Sequence, residues 1–212
     1  RDCLLSRGLG DVYKRQETIR YFGRRIELLG VDLRLGRRVS REELLAQGYD
    51  DVIVATGITT RKPRIEGIEH PKVLSYLDVL REGKPVGRRV AIIGAGGIGF
   101  DMGEFLVHDP GVPLPVPKAH WMGEWGVDAG SSTPGGLVAS RKPHPPREVW
   151  LLQRKSTRPG AGLGKTSGWV HRATLVRNGV QMLAGVQYER IDDAGLHITV
   201  GGERRPLEGD NV

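Results

Sequence analysis

The stretch Arg88–Phe100, RRVAIIGAGGIGF, constrains this chain more than any other. Val90 to Ile93 is an apolar run without polar alternation, the pattern of a strand buried on both faces of a parallel sheet. Gly94, Gly96 and Gly99 follow at G-x-G-x-x-G spacing. Met102, Phe105 and Leu106 then mark a helix that Asp109-Pro110 stops. Each glycine has a job in such a unit. Gly94 permits the tight turn off the strand, Gly96 lets a pyrophosphate approach the backbone, and Gly99 lets helix and strand pack closely. The helix N-terminus supplies free N–H groups and a positive dipole end for the anion. Gly94, Ala95, Gly96, Gly97, Ile98 and Gly99 are therefore the candidate phosphate-binding residues of an α/β, Rossmann-like domain.

The second strand of such a domain sets cofactor preference. NAD sites usually end it with an acidic residue for the ribose 2′-hydroxyl. Here REVWLLQRK places strand Val149–Leu152 before Gln153, Arg154 and Lys155, with Arg158 close behind. No carboxylate is present and the cations suit a 2′-phosphate, so NADPH is expected rather than NADH. Arg172, early in a later helix, is a further candidate for a cofactor phosphate, with a solvated helix position as the alternative.

The chain also reads as one pattern used twice. Ile19, Phe22, Ile26 and Leu29 have helical spacing up to Gly30. The segment VDLRL follows as a strand, and Val52–Ala55 is expected as a buried strand closing on Thr56-Gly57. The second copy begins with a helix from Ser167 to Gly179 and a strand in VQMLAGV. VQYERI, LHITV and RRPL then form a three-stranded meander. Asp210-Asn211-Val212 stands where Asp50-Asp51-Val52 stands in the first copy, at the expected start of a closing strand. The expected division is a partial flavin-type domain over 17–66, a proline-containing linker over 67–87 with a short helix at SYLDVLREG, and an NADP(H)-binding domain over 88–212. Residues 1–16, RDCLLSRGLGDVYKRQ, resemble a translated sequencing-adaptor read and are set aside as non-native.

Between the glycine turn and the second strand lies an insertion, 108–147, far longer than the usual gap of about 20 residues from glycines to acidic residue. It carries eight prolines together with Trp121 and Trp125, and is expected to be ordered around the tryptophans. Other chemistries find little support. Pro159 replaces the first glycine of a P-loop reading at Gly164-Lys165-Thr166, and no apolar strand precedes it. The six histidines lack metal-ligand spacing, and the carboxylates form no hydrolytic pair. The net charge of +7 is scattered rather than gathered into a nucleic-acid stripe. Cys3 is the sole cysteine, which fits a reducing, cytoplasmic setting. No apolar run approaches the roughly 20 residues of a membrane span.

HPKVLSYLDVLREGKPVGRRVAIIGAGGIGFD, EWGVD, LLQRK, GLGKTSGWVHR and GVQYERIDDAGLHI together resemble the bacterial-type NADPH-dependent 2,4-dienoyl-CoA reductases, flavin oxidoreductases related to trimethylamine dehydrogenase. The resemblance runs from Glu17 to Val212. It implies hydride transfer from NADPH to FAD, and onward through a 4Fe-4S cluster and FMN to an unsaturated acyl-CoA in fatty-acid β-oxidation. It implies an N-terminal β/α barrel as partner domain, carrying cluster, FMN and catalytic acid, so no catalytic residue is carried over and this chain alone is expected to be inactive. It also implies that Val39, Ala55, Thr56 and Gly57 belong to the FAD-binding remnant. Two alternatives stay open: a portion of a pyridine nucleotide-disulfide oxidoreductase, and a non-catalytic NADPH-binding module.

Overall fold

The computed structural model describes residues 9–57 and 59–212, with side chains from residue 16 onward. Residues 1–8, Cys3 among them, and Ile58 lie outside the described residues, and so does half of the segment the adaptor reading rests on. The chain divides into two compact units, 1–61 and 62–212.

In the first unit, helix α1 spans Leu9–Leu28 and runs unbroken across residues 16 and 17. Gly30, at φ +65°, turns the chain out of it. Helix α2, Arg41–Ala46, starts at Ser40, whose Oγ accepts the Glu43 N–H at 3.2 Å. The strands expected at VDLRL and at Val52–Ala55 do not form: both segments are irregular, and Ile53 and Val54 are 92% and 75% exposed. A β-ladder needs a neighbour to take its N–H and C=O groups, and no described residue pairs with either segment. The expected buried strand is thus corrected to an exposed, irregular segment.

The second unit holds the sheet. Strands β1 (Arg89–Ile93), β2 (Glu148–Leu152) and β3 (Gln181–Leu183) run parallel in that order, with Arg89 opposite Glu148 and Trp150 opposite Gln181. Asn211 adds a parallel bridge to Val90 on the free side of β1, where the closing strand was expected. Strands β4 (Gln187–Asp192), β5 (Gly195–Val200) and β6 (Glu203–Glu208) form the expected antiparallel meander, with a bulge between Tyr188 and Arg190.

The strand alternation explains how two layers cover this sheet. Val90, Val149 and Leu151 face helix α4 (Gly97–Val107) and helix α6 (Gly168–Arg177), packing on Phe100, Met102, Leu106 and Leu175. Ala91 and Leu152, one residue out of phase, face the meander and pack on Val186, Ile191, Leu196 and Ile198. The α/β class is as expected.

The segment expected as a linker packs into this unit. Val79 is buried in one of its two cores, and the Leu74 N–H donates to the Val212 carbonyl at 2.9 Å, while Ile65, from the expected flavin-type portion, is buried in the other. Helix α3 (Tyr76–Leu80) is fixed by a capping box between Ser75 and Asp78. The insertion is ordered as well. Helix α5 (Lys118–Trp125) ends on Gly126 in the left-handed region, and a 3₁₀ turn follows at Pro134–Gly136. Arg177 lies 5.0 Å over the Trp125 ring and donates to the Arg141 carbonyl at 3.0 Å and to the Glu124 carbonyl.

Candidate functional site

The glycine turn takes the shape the spacing implied. Gly94 sits at φ +118°, a conformation that a side chain would strain, and its N–H donates to Leu152 O at 2.8 Å, tying the turn to β2. A Cβ on Gly99 would lie 1.9 Å from Gly94 O and 3.3 Å from Leu151 Cδ1, so only glycine lets α4 descend this close to the strand. Gly96 caps the helix without a side-chain hydrogen bond, and the first-turn N–H groups have no intrahelical acceptor. A Cβ on Gly96 or Gly97 would meet nothing within 4 Å, and Ile98 is half-exposed beside them. Ala95 is partly buried beneath the turn, against the α4 side of the sheet. The turn therefore presents unpaired donors to open space, which is what a phosphate requires.

At the end of β2 the backbone is pinned. The Gln153 N–H donates to Leu183 O at 2.9 Å, and the N–H groups of Val186 and Gly185 donate to Gln153 O and Lys155 O at 3.0 and 2.9 Å. The Gln153 amide donates to the Lys155 carbonyl at 3.1 Å and to the Thr157 carbonyl. Gln153, expected to touch cofactor, thus spends its amide N–H groups shaping the turn that carries Arg154 and Lys155. Both of these and Arg158 are exposed, and no carboxylate among the described residues pairs with any of them.

Arg172 is the most informative side chain. Its Nη2 donates to Pro159 O at 2.8 Å, but its Nε is buried with no hydrogen-bond partner. Burial, and secondarily the nearby positive charge of Arg158, push its guanidinium below the usual arginine range. Two cations near one another, one with an orphaned donor, form a charge arrangement that a bound anion relieves. The residues present thus fit a phosphorylated cofactor on two counts: open space over Gly96, and an unsatisfied Arg172 beside Arg158.

The flavin expectation fares differently. Val39 and Ala55–Gly57 are exposed on irregular backbone in the first unit, with Gly57 at φ +77°. They present no strand end and no enclosing side chains, so the structure does not gather them into a cradle for FAD.

Several contributors were not legible in the sequence. Arg147 donates to the carbonyls of Gly87 and Leu106 at 3.1 and 3.2 Å, joining the start of β1 to the last turn of α4. Asp210 accepts the N–H groups of Arg88 and Arg89 at 2.8 and 2.9 Å, which hold its carboxyl below the usual range. Tyr188 lies within the field of Arg154, and burial pushes its hydroxyl up to about 12. His171 Nδ1 lies 2.7 Å from Glu104 Oε1, linking α6 to α4. None carries a spacing signal, because each acts between segments distant in sequence. Among the described residues, no group of His, Cys, Asp or Glu is arranged for a metal, and no helix is long and apolar enough to cross a membrane.

A parallel sheet with a glycine turn at its carboxyl edge and an antiparallel meander behind it defines a dinucleotide-binding α/β module. The family profile described as "Pyridine nucleotide-disulphide oxidoreductase" matches residues 3–212, and the chain belongs to that family. It is 40% identical over 89 residues, 42% of its length, to bilirubin reductase of Mediterraneibacter gnavus strain CC55_001C. It is 42% identical over 78 residues, 37% of its length, to cinnamate reductase of Clostridium sporogenes. Among solved structures, 2-naphthoyl-CoA reductase with 2-naphthoyl-CoA aligns over 98% of the chain at a TM-score of 0.58 and 23% identity, a likeness of fold. The chain spans 14% and 11% of the two curated relatives and 26% of that solved chain.

Proposed function

We propose that the chain binds NADP(H) as the reductant-binding part of a flavin-dependent reductase. The observation that carries this is the pairing of an open glycine turn at Gly94–Gly99 with Arg172, whose Nε is unsatisfied, next to Arg158. In this reading the α4 N-terminus takes the pyrophosphate, and Arg154, Lys155, Arg158 and Arg172 surround the adenosine 2′-phosphate. When bound, NADPH supplies a hydride. The chain's own residues hold and orient it: Gly99 seats the helix, and the Gln153 turn presents the cations.

Family membership supports FAD as the acceptor, but the Val39 and Ala55–Gly57 region does not form its site here, and no step is assigned to those residues. For the substrate, the family match favours the pyridine nucleotide-disulfide type of reductase. A second reading, reduction of a conjugated acyl-CoA of the 2,4-dienoyl type with FMN and a 4Fe-4S cluster in an attached barrel, draws support from the bilirubin and cinnamate reductases. Both are named for conjugated molecules. An NADPH-linked assay of the complete gene product against a 2,4-dienoyl-CoA and against small disulfides separates the two.

The cofactor assignment is tested by calorimetry of the 212-residue chain with NADPH and NADH. Each charge-assisted hydrogen bond to the 2′-phosphate contributes roughly 1.5–3 kcal/mol, so Arg154→Ala with Lys155→Ala weakens NADPH by about two orders of magnitude and leaves NADH nearly unchanged. Gly96→Val abolishes both, and because a Cβ there meets no protein atom within 4 Å, the loss reports on cofactor and not on folding. Equal losses of NADPH and NADH in the double variant overturn the 2′-phosphate assignment.

A further inference from the structure

The antiparallel meander reaches the cofactor rim at one side chain, Tyr188. Where β2 ends, the connection from β3 to β4 is laced to it. The Gly185 N–H donates to Lys155 O at 2.9 Å and the Val186 N–H to Gln153 O at 3.0 Å. These bonds hold the start of β4 against the turn that carries Arg154 and Lys155. Val186 is buried in the core that contains Ala91 and Leu152, and the Tyr188 side chain packs against that same core. Tyr188 thus extends from the core toward the turn, where the positive charge of Arg154 acts on its hydroxyl.

That hydroxyl is uncommitted. Among the described residues none hydrogen-bonds it, and it is not sealed from solvent, since the Arg172 Nε is the fully buried side-chain atom left without a partner. Burial pushes its ionisation up to about 12, against the opposing pull of Arg154, so near neutral pH it is an uncharged O–H donor. It also differs from its neighbours in freedom. Arg154 and Lys155 are exposed, and long side chains lose rotamer entropy when a ligand fixes them. A tyrosine already held by core packing has little left to lose, so a hydrogen bond from it is preorganised.

From this we infer that Tyr188 is a specificity-determining contact, its hydroxyl donating to the adenosine 2′-phosphate that Arg154 draws to the end of β2. The inference rests on the NADP(H) reading proposed above and adds to it a neutral donor supplied by the meander. The cations attract the phosphate from any direction, whereas the phenol fixes where it sits. NADH carries an uncharged 2′-hydroxyl in that place, and a hydrogen bond without charge assistance is roughly half as strong.

Tyr188→Phe keeps the ring and removes the hydroxyl. Because that hydroxyl bonds no protein group, the variant is expected to fold, with a melting temperature close to the parent's. NADPH and NADH are titrated calorimetrically into the 212-residue chain and into the variant. The expected result is an NADPH affinity about tenfold weaker in Tyr188→Phe, with NADH changed about threefold or less. Equal losses for the two cofactors mean that the ring shapes the pocket and the hydroxyl reads nothing, which overturns the inference. Unchanged NADPH affinity in a variant whose parent prefers NADPH overturns the contact alone and leaves the cofactor reading in place. A parent chain that binds NADPH no more tightly than NADH overturns the 2′-phosphate reading and this contact with it.

Discussion

The segments Val52–Ala55 and Val90–Ile93 are close in sequence character, VIVA and VAII, and opposite in fate. The first is an exposed, irregular segment, while the second is the edge of a parallel sheet covered on both faces. The same contrast holds for the two units. From residue 16 to 61, no described side chain is buried, and Ile19, Leu35, Ile53 and Val54 stand in solvent. From 62 to 212 two apolar cores meet across one sheet. Strand propensity is fit to a pleated, half-buried surface, and it is realised only where neighbours supply that surface. The first unit keeps what is local: helix, cap and ion pairs such as Arg24–Glu27 at 2.9 Å, spaced three residues apart. The second keeps what is distant.

The sharpest way to break this comparison is to remove one residue from each side of it. Leu151, fully buried between α4 and α6, changed to Ala costs about 2–5 kcal/mol, read as a lower urea midpoint of the second unit. Ile53, 92% exposed, changed to Ala stays within about 0.5 kcal/mol. A loss at Ile53 comparable to that at Leu151 means the first unit is packed in solution and the contrast fails. Amide hydrogen exchange adds resolution: β1, β2 and β5 exchange slowly, and 31–39 and 49–57 exchange at close to unprotected rates.

How much of this was legible in the sequence follows the same division. The strand–turn–helix at Val90–Val107 was readable because its signals are contiguous: an apolar run, three glycines and a helical stripe within one stretch. The meander was readable because hairpins pair neighbours. Val52–Ala55 misled because a buried parallel strand and an unpartnered apolar segment are the same string of residues. Nothing local says whether partner strands exist. In the site, the cations were visible as a cluster, but the proximity of Arg158 to Arg172 and the orphaned Nε arise from tertiary packing. Gln153 was read as a cofactor contact from its place after β2. Its amide N–H groups bond the 155–157 turn, a geometric role that its place after β2 did not announce.

The insertion sharpens the contrast, since it too lacks extended strands yet is ordered. Its anchor is Arg177, which spans from α6 to Trp125 and to two insertion carbonyls. Arg177→Ala removes a cation–π contact and two hydrogen bonds, worth about 1–2 kcal/mol together. The expected outcome is selective proteolytic cleavage between 118 and 145, with the sheet intact. Unchanged protection of the insertion assigns its order to the prolines and not to this clamp.

The smallest expected effect concerns how charge is used in the two units. On the meander, Asp192 accepts from Arg190 Nε at 3.0 Å and from the Ala194 N–H at 3.0 Å, and contacts His197 Nε2 across the β4–β5 pair at 2.9 Å. The hydrogen bond with His197, then that with Arg190, holds its carboxyl down at about 2. A carboxyl depressed in the folded state stabilises it above the unfolded value, about 3.9, and that contribution disappears as pH falls from there toward 2. The side chain is partly exposed, so solvent screens the effect and the shift in melting temperature is small. Asp192→Asn therefore melts slightly below the parent at pH 6, and the gap closes as both are titrated toward pH 2.5. Glu17→Gln is the matching change in the first unit, where Arg20 pairs with Glu17 along one exposed helix at 2.5 Å. It joins no two strands, so it leaves the second unit's transition in place at every pH. A gap for Asp192→Asn that persists unchanged to pH 2.5 would mean that its turn geometry, and not its charge, holds β4 to β5.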